Sequence, residues 1–101
     1  WIYIPNAFTP DLDGINDRFC ISYGGIRENT FVFNLYNKSS QLIFSTNDIS
    51  SLECSSTSVS GWNGKDLNGN EVPMGNYIFE IFYQDVNGWK ITKTKDLVVI
   101  R

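Results

Sequence analysis

The densest run of potential ligands is Thr9-Pro10-Asp11-Leu12-Asp13-Gly14-Ile15-Asn16-Asp17. Oxygen donors at Thr9, Asp11, Asp13, the Ile15 carbonyl and Asp17, with Gly14 at the sharp turn, approximate the order of a calcium loop, which holds its hard cation through oxygens alone. Counted from Thr9, the position that should carry the bidentate glutamate is Cys20. Asp11, Asp13, Asn16 and Asp17 also fit a second reading as turn caps, accepting from backbone N–H groups nearby in the chain. Calcium is the one cofactor these residues suggest, and nothing in the chain requires it. Cys20 and Cys54 are the only cysteines. In an oxidising compartment they can pair, tying the polar stretch around Cys54 to a strand; in cytosol they would stay as separate inert thiols.

The missing residue types narrow the chemistry further. With no histidine in the chain, the commonest general base and metal ligand are gone, and so is every Ser-His or Cys-His nucleophile. Two cysteines cannot build a four-ligand zinc site, and no CxxC pair exists for thiol exchange. No glycine-rich phosphate loop is present, and a paired-carboxylate glycosidase needs a cleft that a small domain made of strands rarely supplies. Binding, not catalysis, is the expected work.

The elements that must position these groups read as strands. Trp1 to Ile4 is β-branched and aromatic up to Pro5, and Phe19, Ile21 and Tyr23 alternate with polar residues until Gly24-Gly25. Phe31, Phe33 and Leu35 alternate next, then the turn Asn37-Lys38-Ser39-Ser40 leads into a partner strand over 41–46. Ser, Thr and Asn dominate from Asn47 to Ser60, which predicts an irregular surface segment that Trp62 anchors. Tyr77, Phe79, Ile81 and Tyr83 share one face of the strongest strand, while Glu80 marks the other. The last strand spans Lys90 to Ile100, with a bulge expected near Lys95-Asp96 and with Lys90, Lys93 and Lys95 read as its solvated face. No segment carries a helical period. About seven short strands separated by turn signals indicate an all-β fold, an immunoglobulin-like antiparallel β-sandwich, with a small Greek-key barrel as the runner-up.

The 101 residues suit one domain. Their 42% hydrophobic and 15% aromatic content fits a packed core. A net charge of −3 argues against nucleic acid as a partner, because a phosphate backbone is held by clustered basic residues. No apolar run approaches the ~20 residues of a helical membrane span. The chain opens at Trp1 without a methionine, already inside a strand pattern, so it reads as a fragment of a longer protein.

Ile4-Pro5-Asn6-Ala7-Phe8-Thr9-Pro10-Asp11-Leu12-Asp13-Gly14-Ile15-Asn16-Asp17-Arg18-Phe19 resembles the opening of the gliding-motility-associated C-terminal domain of Bacteroidetes, the type B sorting domain of type IX secretion. Gly61-Trp62-Asn63-Gly64 is similar to that family's Trp-Asp-Gly turn, and Pro73-Met74-Gly75-Asn76-Tyr77 to its Pro-x-Gly-x-Tyr lead into the penultimate strand. Val98-Val99-Ile100-Arg101 is similar to its hydrophobic ending with a basic cap. The sequence departs from the family at Tyr36-Asn37-Lys38-Ser39-Ser40, where an Asn-Arg-Trp-Gly-like turn is usual. The resemblance implies a C-terminal sorting and anchoring module that passes through the periplasm to the cell surface. Its implied partners are the outer-membrane machinery of type IX secretion and an N-terminal cargo in the same chain. Leu97, Val98, Val99, Ile100 and Arg101 are the implied sorting segment. A second reading is a surface carbohydrate-binding or adhesive module, in which the three tryptophans and five tyrosines provide a stacking platform.

Overall fold

The computed structural model describes residues 1–5, 7–8, 19–54 and 61–100. Seven strands form among these residues: β1 (Ile2–Tyr3), β2 (Ala7–Phe8), β3 (Ser22–Tyr23), β4 (Ile26–Tyr36), β5 (Leu42–Thr46), β6 (Gly75–Asp85) and β7 (Lys90–Val99). They make a five-stranded sheet in the order β2-β7-β6-β4-β5 and a two-stranded sheet of β1 and β3. β2 runs parallel to β7, while the other strand pairs are antiparallel. The large sheet ends at β2 on one side and β5 on the other without joining, so the layers pack as a sandwich and the barrel alternative falls away. The fold is all-β and immunoglobulin-like.

Alternation explains which face is buried. Phe31, Phe33 and Leu35 of β4, the four aromatic and aliphatic residues Tyr77, Phe79, Ile81 and Tyr83 of β6, and Leu97 and Val99 of β7 point into one core. The opposing layer contributes Phe19, Ile21, Ile49, Leu52, Trp62 and Val72. Phe19, Phe33 and Phe79 form a triangle with ring centroids 5.7, 5.8 and 5.9 Å apart. Pairs at such distances stabilise by about 0.5–1.5 kcal/mol beyond the area they bury.

Three expectations need correction. The polar stretch after Asn47 is not wholly irregular: Ile49–Leu52 forms a 3₁₀ turn, capped by the Asp48 carboxylate accepting from Ser50 N–H, and both its apolar ends are buried. A 3₁₀ turn eclipses residues three apart, which aims Ile49 and Leu52 at the core together. The bulge near Lys95-Asp96 is absent, since β6 and β7 pair without a register shift from Gln84↔Lys90 to Gly75↔Val99. Ile91, Leu97 and Val99 are all odd-numbered and share the inward face; Val98 is on the other. The lysines accordingly do not form one face, because Lys93 and Lys95 lie on the inward side and Lys90 on the outward side.

An irregularity does occur in β4, between Arg27 and Val32. Thr30 bridges it: its hydroxyl donates to the Arg27 carbonyl at 2.6 Å and accepts from Gln84 N–H at 2.8 Å. Further along, Gly75 has φ +148°, a conformation side chains disfavour, and Tyr77 then donates from its hydroxyl to the Pro73 carbonyl at 2.6 Å. That bond gives the Pro-x-Gly-x-Tyr pattern its physical content, since the tyrosine clamps the corner that feeds β6.

Three turns share one design, built on Asn37, Asp66 and Asp85. In each, the first side-chain oxygen accepts from the N–H groups two and four residues on, and the fourth residue has positive φ. Gly69 and Gly88 fill that fourth position in two of them, at φ +84° and +85°, but Ser40 fills it at +62° in the third. A left-handed conformation costs a residue with Cβ roughly 1–2 kcal/mol, which glycine avoids at some entropic cost in the unfolded chain. Ser40→Gly is expected to raise stability by about 0.5–1 kcal/mol, read as a higher urea midpoint with an unchanged slope.

Candidate functional site

The segment Leu97–Arg101 divides by position on the sheet. Leu97 and Val99 are fully buried opposite Tyr77 and Gly75, and they belong to the core. Val98 is half-buried beside Ala7 of β2, Ile100 is 46% exposed, and Arg101 lies outside the described residues. Only the even-numbered side chains of the described part are therefore available to a receptor, since a sheet shows alternate residues to opposite sides.

Cys20 and Cys54 are joined in a disulfide with Cα atoms 4.9 Å apart. The link sits beside a short ladder. Ile21 donates its N–H to Leu52 at 2.7 Å, Cys54 donates to the Ile21 carbonyl at 2.8 Å, and Phe19 exchanges two bonds of 2.9 Å with Trp62. The cysteine between two fully buried residues thus points away from the core, and its partner Cys54 is exposed two residues past the 3₁₀ turn. The disulfide fastens the opposing layer where regular strand pairing is shortest.

Tyr23 extends this region. Its hydroxyl donates to Glu28 Oε1 at 3.3 Å, and its pKa is pushed up to about 12 by burial first and then by the negative charges of Glu28 and Glu53. Burial also raises Tyr83, with Asp85 adding to it, and raises Tyr36, with Glu80 adding to it.

The calcium-loop candidates Thr9, Asp11, Asp13, Ile15 and Asp17 lie outside the described residues. Among the described residues, no group of three or more Cys, Asp or Glu is placed to hold a metal ion. Asp48, Asp66 and Asp85 have another occupation, accepting from backbone N–H groups in turns. Among the described residues, no helix is long and apolar enough to cross a membrane. Of the tryptophans proposed as a stacking platform, Trp62 is buried and donates its indole N–H to the Lys65 carbonyl at 2.7 Å, while Trp1 and Trp89 are exposed.

The outer face of the large sheet was not singled out by sequence. Val32 and Phe82 sit opposite one another on it, and Leu42, Tyr36 and Ile78 form a second apolar row. A cleft of about 370 Å³ opens against that row, between Tyr36, Ile78, Glu80 and Thr94. The signal was present in β6, where Ile78 and Phe82 are apolar at even positions while the odd positions already supply the core.

The tyrosine pKa values carry a stability consequence. A phenol whose folded pKa stands above its unfolded value of 10.0 favours the fold only in its neutral form. Stability is then unaffected below pH 10, falls as pH rises towards about 12, and levels off above that. Urea midpoints across this range are expected to decline in the native chain and to decline less steeply in Tyr23→Phe; equal slopes would remove Tyr23 from the account.

Comparison with known proteins adds the family. No curated protein matches the chain significantly. Among solved structures it is similar to CopC from Methylosinus trichosporium OB3b, at 15% identity and a TM-score of 0.48, over 81% of this chain and 70% of that one. Residues 2–99 match the CHU_C type IX secretion signal domain, which spans the pre-β7 motifs and the whole of β7 alike. On that match the chain belongs to the type IX secretion signal domain family.

Proposed function

We propose that this domain is a non-catalytic address, recognised as a folded body in the periplasm, that takes an attached N-terminal passenger through the outer membrane to the cell surface by the type IX machinery. The family match over residues 2–99 carries this reading. The physical design supports it. An address read in the folded state needs a rigid scaffold that presents a fixed edge or strand end, and the core packing of Leu97 and Val99 holds the last strand in one place. A disulfide between Cys20 and Cys54 also suits a route through oxidising compartments.

Within Leu97–Arg101, recognition is assigned to the side chains that the core does not use, Val98 and Ile100, together with Arg101. Removing the whole segment would strip Leu97 and Val99 from the core and confuse loss of a signal with loss of the fold. The paired substitution Ile100→Asp and Arg101→Glu avoids this. Fused behind a passenger with a signal peptide, in a host with type IX secretion, the native domain is expected to bring the passenger to the surface, as read by surface labelling and protease shaving. The substituted domain, with an unchanged melting midpoint, is expected to leave it in the periplasm. Retention of the native fusion, while another type IX signal domain exports the same passenger, would overturn the proposed function; export of both fusions would remove the role of the C-terminal side chains.

A further inference from the structure

The two edges of the large sheet are finished differently. At the β5 edge, Leu67 donates its N–H to the Ile43 carbonyl at 3.1 Å, so the loop carrying Asp66 closes over that strand. At the other edge, β2 pairs only with Val98 and Val99, which leaves β7 from Lys90 to Asp96 without a neighbouring strand among the described residues. An open edge presents backbone N–H and C=O groups ready to accept another strand. Lys90, Lys93 and Lys95 line this stretch, and none of them makes an ion pair among the described residues. Asp96 stands at its far end.

The lysines select what can pair there. Two copies of this chain meeting edge to edge would bring together three lysines and one aspartate from each, so the edges carry a net like charge and repel. A strand with acidic side chains meets the opposite condition and is attracted. Where the open stretch ends, a cleft of about 510 Å³ lies between Tyr3, Ile4 and Pro5 on one side and Phe79, Lys95 and Asp96 on the other. Its lining is mixed, with Tyr3, Ile4 and Pro5 facing the charged Lys95 and Asp96, and it has room for one side chain of an added strand.

We propose that the β7 edge from Lys90 to Asp96 is a strand-addition site for an extended acidic segment of a partner protein, with one side chain of that segment seated in the cleft between Tyr3, Ile4 and Pro5 and the Lys95-Asp96 end of the strand. Backbone pairing supplies the attraction, the lysines set the charge of the partner, and the cleft fixes its register. The proposal goes beyond the secretion reading and does not depend on export.

The test uses the 101-residue chain and two capped probe peptides. One alternates glutamate with valine and carries a phenylalanine at one end; the other has lysine at every glutamate. In an amide NMR titration, the glutamate peptide is expected to shift Ile91 to Lys95 and Tyr3 to Ile4, to leave Leu42 to Thr46 unmoved, and to slow hydrogen exchange along β7. Raising the salt from roughly 0.05 to 0.5 M should weaken this binding about tenfold. The lysine peptide should not bind the native chain but should bind the K90E/K93E/K95E variant, which in turn loses the glutamate peptide. The proposal is overturned if neither peptide shifts β7 at millimolar concentration, if both bind the native chain equally, if the shifts fall on β5 or the outer face, or if the chain pairs with itself along β7 without peptide. The native-chain titrations stand even if the variant fails to fold.

Discussion

Everything in this fold depends on pressing Phe19 and Ile21 onto Phe33 and Phe79 from a layer that has little sheet of its own. The large sheet is self-sufficient, with β4, β6 and β7 paired over most of their lengths. Among the described residues its partner layer has only the two-residue strands β1 and β3, extended by isolated bridges from Phe19 to Trp62 and from Ile21 to Glu53. So short a ladder is weak by itself, because isolated strand pairs are marginal in water. The apolar attraction of two fully buried side chains, each stabilising by about 1.5–3 kcal/mol, must work against the freedom of the chain that carries them. The Cys20–Cys54 link reduces that freedom at the residue lying between them. A link across a sequence separation of 34 contributes about 4 kcal/mol in the chain-entropy picture.

The same economy governs the polar residues. Three of the four described aspartates, Asp48, Asp66 and Asp85, each satisfy backbone donors in a turn, which is how a small sandwich finishes strand ends without long helices. Among the described residues, those buried in the core are all apolar or aromatic. What remains for recognition is geometry: strand edges, alternate side chains and clefts between layers. That division suits the folded-state address proposed above, since those features are held in place by side chains buried beneath them.

The strands with strict alternation were legible in the sequence, and β6 most of all, because Tyr77, Phe79, Ile81 and Tyr83 repeat at the sheet period and are buried together. The front of β4 was hidden: Arg27, Glu28 and Asn29 are exposed in the strand, and the irregularity that Thr30 bridges breaks the period. β7 misled for a physical reason. Lys93 and Lys95 occupy inward positions without being buried, so polarity ceased to report direction and suggested a bulge that the pairing does not contain. The Ile49–Leu52 turn escaped because two apolar residues in a polar stretch form no pattern until the 3₁₀ geometry aligns them. For the C-terminal segment, sequence could name Leu97 to Arg101 but could not separate core from surface, since that split is set by which neighbours Leu97 and Val99 face across the sheet.

The dependence of the thin layer on its covalent link is open to direct measurement. Intact mass without reductant should show no free thiol in the folded chain, and amide hydrogen exchange should then be compared before and after reduction. Reduction is expected to lower stability by about 4 kcal/mol. It should speed exchange at Ile21 and Cys54, whose N–H groups are bonded at 2.7 and 2.8 Å, far more than in the middle of β6. Two free thiols in the oxidised, folded chain, or a urea midpoint and Ile21 exchange that reduction leaves unchanged, would contradict the account.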